Sequence, residues 1–174
     1  MKQETLDLFD NIIEQMALVY KHDARPWMIG FSGGKDSTLL CQLTFEMLER
    51  LSPEERTKKV YIVTSDTMVE NPIVRNYMHR MKDAINEASN SKKLGVEAHI
   101  IYPEVKNRFW SLVIGLGYPT PEAPGFRWCT ERLKILPSNT FTYNVINTDG
   151  EIVILLGVRK AESITRSRSI TSRE

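Results

Sequence analysis

The sequence predicts an α/β fold: an open parallel sheet in the strand order 3-2-1-4 with helices on both faces. Two observations carry that expectation. Short apolar runs at 27–31, 60–63, 97–102 and 152–156 alternate with segments whose apolar residues recur at helical spacing. Ser32-Gly33-Gly34-Lys35-Asp36-Ser37 stands where the first run should meet a helix, which is where such sheets bind phosphate.

Leu6, Phe9, Ile13, Met16 and Tyr20 fall on one helical stripe, so the chain should open with an amphipathic helix. It should end before Arg25-Pro26, because the residue ahead of a proline is pushed out of helical conformation. Trp27 to Phe31 is the first strand. After the glycine loop a helix should start near Ser37, with Leu40, Leu43, Met47 and Leu51 on one side and Ser52-Pro53 closing it.

Val60-Tyr61-Ile62-Val63 reads as a second strand buried on both faces, as parallel strands are, leaving through Thr64-Ser65-Asp66-Thr67. Asn71 suits a helix cap and Pro72 a first helical residue, ahead of Val74, Tyr77, Met78, Met81, Ile85 and Ala88. That helix should stop before Gly95. Glu97 to Tyr102 is a third strand, Phe109, Leu112, Val113 and Leu116 a short helix, and a Gly- and Pro-rich loop runs through Gly125. The fourth strand, Ile152 to Leu156, should return beside the first, which places the switch point at the glycine loop.

A chain of 174 residues and 20.0 kDa with 41% hydrophobic content suits one domain. No apolar run approaches a membrane span and Met1-Lys2-Gln3-Glu4 lacks the apolar core of a signal peptide, so a cytoplasmic protein with no membrane partner is expected. The net charge of +1 excludes a globally basic nucleic-acid surface. Arg159, Lys160, Arg166, Arg168 and Arg173, opposed only by Glu162 and Glu174, form either a solvated basic tail or a local polyanion contact. Cys41 and Cys129 are too few for an iron–sulfur ligand set, and His22, His79 and His99 show no metal spacing.

Four segments should converge on the carboxyl edge of the sheet. In the first, paired glycines let successive N–H groups face one anion, Lys35 adds charge and Ser37 a hydroxyl; Asp36 either caps the helix or holds magnesium. Thr64, Ser65 and Asp66 leave strand two toward a ribose or adenine, with a plain turn aspartate as the other reading of Asp66. The segment Arg127-Trp128-Cys129-Thr130 follows a flexible loop; Arg127, Arg132 and Lys134 suit an anionic substrate, and Cys129 is either a reactive thiolate or a buried neighbour of Trp128. Gly157 to Ser163 follows strand four, so Arg159 can reach a phosphate across the switch point, with Glu162 and Ser163 on the substrate side.

Phe31 through Ser37, Ser65 through Pro72, Gly125 through Lys134 and Leu156 through Ser163 together resemble the phosphoadenosine phosphosulfate reductase branch of the ATP pyrophosphatases, whose fold is adenine nucleotide alpha-hydrolase-like. Within it the chain is most similar to the DndC/SspD-type sulfurtransferases of DNA phosphorothioation. The resemblance implies ATP-dependent replacement of a non-bridging phosphate oxygen of DNA by sulfur. The oxygen is activated by adenylation with pyrophosphate release, and ATP and Mg2+ are the cofactors. It assigns catalysis to Lys35, Asp36, Cys129 and Arg159, and ATP binding to Phe31, Ser32, Gly33, Gly34, Lys35, Asp36, Ser37, Thr64, Ser65, Asp66, Gly157 and Arg159. The implied partners are a cysteine desulfurase, other DNA-phosphorothioation proteins and DNA. Longer members carry a 4Fe-4S cluster on downstream cysteines that this chain does not have, so it is expected to be a fragment or a short relative. The alternatives are a phosphoadenosine phosphosulfate reductase, which relies on a C-terminal cysteine not found after Cys129, and a non-catalytic ATP-binding subunit.

Overall fold

The structure, a computed structural model, describes residues 3–121 and 127–158. Its sheet has the order β3-β2-β1-β4 with every neighbouring pair parallel, the order expected from the sequence. The strands are β1 (Trp27–Gly30), β2 (Val60–Ser65), β3 (Val96–Ile101) and β4 (Val153–Leu156). Gly30 pairs with Val63 on one side and Leu156 on the other, so β1 ends level with both neighbours.

Helices α1 (Gln3–Lys21), α2 (Lys35–Arg50) and α3 (Pro72–Lys92) cover one face. Alternation along β1 explains the division: Trp27 and Ile29 pack with Ile13, Leu48 and Ile85, while Met28 points to the opposite face. Asn71 caps α3 as its sequence suggests, accepting a hydrogen bond from the Ile73 N–H at 2.9 Å, and Lys93 ends the helix with φ +52°. Helix α2 begins at Lys35, two residues ahead of the expected start, because Gly34 in extended conformation is its cap.

The chain from β3 to β4 departs most from the expectation. A 3-10 turn (Val105–Asn107) precedes the short helix expected over 109–116, which is present as a helical start at 109–110 running into a π turn (Ser111–Gly115); Leu112 is buried but Leu116 is exposed. The segment Arg127 to Thr130, for which the sequence predicts no element, is helical from Trp128 onward. Helix α4 (Trp128–Thr130), a π turn (Glu131–Ile135) and α5 (Leu136–Asp149) follow one another without a break. Trp128 anchors this start: it is buried, stacks on Phe109 at 5.5 Å, and donates from Nε1 to the Pro119 carbonyl at 2.9 Å. Val145 and Phe141 of α5 then cover Met28, Tyr61 and Val63, completing the second layer. No helix among the described residues is long and apolar enough to cross a membrane.

Candidate nucleotide site at the switch point

The glycine loop leaves β1 one residue after the strand proper, since the Phe31 N–H still donates to the Val63 carbonyl at 2.9 Å. Gly33 then turns with φ +72°, a region that L side chains rarely enter, and its missing side chain leaves room for the Tyr77 ring. Hydroxyl groups hold the loop's shape. Ser37 Oγ donates to the Gly34 carbonyl at 3.0 Å and accepts from the Ser32 N–H at 3.2 Å, while the Gly34 N–H reaches Ser32 Oγ at 3.4 Å. Ser37 is buried and its proton serves the loop, so its hydroxyl shapes the cradle.

The first bond of α2 runs from the Thr38 N–H to the Gly34 carbonyl at 2.9 Å. Amides of a helix's first turn lack intrahelical acceptors and carry the positive end of its dipole, so α2 aims positive potential into the loop. A cavity of about 690 Å³ lies there, walled by Ser32 and Gly34 to Ser37, by Thr64 and Ser65 of β2, and by Gly157 and Val158 beyond β4. This is the crevice between β1 and β4, at the carboxyl ends of the strands. Gly157 closes it tightly, since a β-carbon there would lie 2.7 Å from the Asp36 carbonyl oxygen.

Charge enters this cavity from three elements. Lys35 comes from α2, Lys134 from the π turn, and Asp36 and Glu70 add carboxylates. Thr67 Oγ1 donates to Glu70 at 3.0 Å and fixes its direction. Glu70, Val74 and Met78 of the α3 side and Ser138 of α5 all line the cavity, although none was assigned a nucleotide contact from sequence. For Glu70 the signal was its position after strand two; for Ser138 there was none.

Asp66 does not line the cavity. Its side chain is fully buried, accepting from the Met68 N–H at 2.7 Å and from Arg75 Nε at 2.9 Å, and it shapes a turn in which Met68 takes φ +64°. The turn reading of this residue is the one its contacts match. Asp36 and Glu70 are therefore the carboxylates at the cavity wall, and no group of three or more His, Cys, Asp or Glu among the described residues could by itself hold a metal. Two carboxylates beside a phosphate cradle nonetheless fit magnesium, which binds through one or two acids plus phosphate oxygens.

Of the three cations expected to meet substrate, only Lys134 reaches this cavity. Arg132 lines a second one of about 530 Å³, where its Nη1 donates to Asn107 Oδ1 at 3.2 Å, and Arg127 is exposed and lines neither. Cys129 is half-buried and lines neither cavity. Cys41 packs in the core, where burial pushes its thiol up to about 11, so it is unreactive near neutrality. Arg159, Glu162 and Ser163 lie outside the described residues, as does the remainder of the basic tail.

No protein-family profile matches the chain. Over 157 residues, 90% of its length, it is 29% identical to the uncharacterized protein MJ0066 of Methanocaldococcus jannaschii, of which it spans 28%. A crystal structure of a protein from the universal stress protein family from Burkholderia pseudomallei resembles 75% of this chain and 93% of that one, at 12% identity and a TM-score of 0.34.

Proposed function

We propose that the domain binds ATP in the switch-point cavity and cleaves it between the α and β phosphates, passing AMP to a phosphate oxygen of DNA as the activating step of phosphorothioation. The observation that carries this reading is the contact between Gly157 and Asp36. It makes the glycine loop and the segment after β4 two walls of one cavity, with Lys35 and Lys134 both facing it.

In this reading the triphosphate lies over residues 32–37, where the amino end of α2 and Lys35 oppose its charge. The acceptor oxygen attacks the α-phosphorus and pyrophosphate leaves. Asp36 and Glu70 would hold a magnesium ion, whose charge offsets that of the departing pyrophosphate. The adenylated oxygen is then a good leaving group, so the outer sulfur of a persulfide delivered by a cysteine desulfurase partner can attack the acceptor phosphorus as AMP departs, and a second thiol then cleaves the S–S bond, releasing the phosphorothioate with the carrier cysteine left in a disulfide. Cys129 can relay sulfur only from outside the two cavities described, and the chain's two cysteines cannot ligate a 4Fe-4S cluster.

The test is pyrophosphate release from ATP with and without DNA, beside Lys35→Ala. DNA-dependent release that Lys35→Ala abolishes is the expected result. A second reading, a non-catalytic ATP-binding subunit, is favoured by the position of Cys129. Binding of ATP with no AMP or pyrophosphate formed under any condition would select it.

A further inference from the structure

Two strands form the edges of the sheet, and they are built differently. β3 carries Glu97 and His99, with Glu97 3.8 Å from Lys59 and 3.4 Å from His99, and charge of this kind keeps an edge from pairing with another chain. β4 reads Val153-Ile154-Leu155-Leu156, without charge or proline, and has no second neighbour among the described residues. Ile154 is 49% exposed, Leu156 63%, and Val158 just beyond the strand 46%. The Val153 N–H donates to the Pro26 carbonyl at 2.9 Å, so the backbone groups of Val153 and Leu155 serve β1. Those of Ile154 and Leu156 alternate to the outer side of the sheet.

Beside this edge α1 turns a second apolar face outward. Leu8, Ile12, Gln15 and Val19 recur at helical spacing, away from the side on which Asp10 bonds Arg50 of α2 at 2.6 Å. Leu8 and Val19 are both more than half exposed. Ile12, Gln15, Met16 and Val19 meet Leu155 and Trp27 around an open recess of about 330 Å³, so the middle of α1 lies level with Leu155. The ends of α1 differ in sign, with Glu4 in the first turn and Lys21 in the last.

We propose that β4 is the seam of a two-fold homodimer, in which the β4 strands of two copies pair antiparallel about Leu155 and join their sheets into one. The apolar run Ile154-Leu155-Leu156 is its own complement. An axis at Leu155 sets Ile154 of each copy opposite Leu156 of the other, where the outward backbone groups of both can exchange hydrogen bonds and the exposed side chains cover one another. The same axis crosses α1 near its middle and runs the two helices antiparallel. Leu8 then lies on the side of Val19 of the other copy, and Glu4 on the side of Lys21. That charge complementarity selects a second copy in two-fold arrangement, because a parallel, head-to-tail pairing would set acid beside acid and could not close. The inference stands apart from the nucleotide reading, since it uses none of the charged groups of the switch-point cavity.

The test is sedimentation equilibrium of the full chain, with amide hydrogen exchange at two concentrations. The expected result is a species of twice 20.0 kDa at about 100 μM chain, dissociating on dilution, with the Ile154 and Leu156 amides protected only in the dimer. Ile154→Pro removes one outward N–H and leaves the β1 ladder in place, so it should raise the dimer Kd by about tenfold or more. Val19→Glu, on the exposed face of α1, should weaken association likewise, and it covers the case in which Ile154→Pro fails to fold. A 20.0 kDa species at about 100 μM chain, or an unchanged Kd in folded Ile154→Pro or Val19→Glu, would overturn the proposal. Protected Ile154 and Leu156 amides in a monomer would overturn it too, because another part of the chain would then cover the edge.

Discussion

Gly157 stands so close to Asp36 that a β-carbon on it would fall 2.7 Å from the Asp36 carbonyl oxygen and 2.8 Å from the carbonyl carbon. The obstacle is backbone in the first turn of α2, which cannot rotate away as a side chain can. Gly157→Ala should therefore push β4 from α2 and open the cavity at its narrowest wall. Overpacking of this kind costs about 1–3 kcal/mol. Urea unfolding should show that loss, and ATP affinity should fall with it; an alanine variant with unchanged stability and affinity would mean the two segments are not held together in solution.

Gly33 presents a softer constraint. Its β-carbon would meet Tyr77 Cε1 at 2.9 Å, the edge of a partly exposed ring, but φ +72° strains any L side chain whatever the space. Gly33→Ala should cost about 1 kcal/mol from backbone strain alone. Adding Tyr77→Ala should recover only the steric share. Full recovery in the double variant would show that the turn itself tolerates alanine.

Asp66 supplies a way to separate turn from site. Removing its carboxylate in Asp66→Ala leaves the Met68 N–H and Arg75 without their acceptor, a loss of about 1 kcal/mol for the part-buried amide bond, with Arg75 half in solvent to take back its hydration. Stability should drop while ATP affinity in the folded fraction stays near that of the wild type. An affinity loss of tenfold or more at full folding would place this carboxylate on the nucleotide after all.

How far these features could be read from sequence depends on whether local chemistry alone decides them. The strand order, the glycine loop and the Asn71-Pro72 cap follow from periodicity and turn residues, which act over a few positions. Helix α5 does not. Asn139, Thr140, Thr142, Asn144 and Thr148 are weak helix formers, and the π turn over Glu131–Ile135 breaks the 3.6-residue repeat just ahead of it. What fixes α5 is tertiary: Phe141 and Val145 cover the sheet, so Ser138 reached the cavity wall with no local signal. Asp66 was ambiguous for a related reason, because its role is set by Arg75, a helical turn beyond the cap.

The amino-terminal edge of the sheet, opposite the cavity, carries an acid whose pH behaviour can be predicted. Asp23 accepts from Arg25 at 2.6 Å and from the buried Lys58 ammonium at 3.0 Å, and Lys58 in turn sits 4.8 Å from the Tyr20 ring centroid. Arg25 foremost, then Lys58, holds the Asp23 carboxyl well below the usual carboxylate range. A carboxyl depressed in the folded state stabilises it fully above the unfolded pKa of about 3.9, and the contribution is lost as pH falls through the lower folded value. Asp23→Asn should therefore be less stable than the wild type at pH 7, with the gap narrowing steadily below about pH 4. Urea midpoints of both proteins across pH 2 to 7 give the measurement, and a gap that stays constant through the acid range would remove the ion pair as its source. Because Asp23 lies far along the strands from Lys35, ATP affinity at pH 7 should be equal in the two proteins, and a parallel loss of affinity would instead mean that this edge governs the cavity.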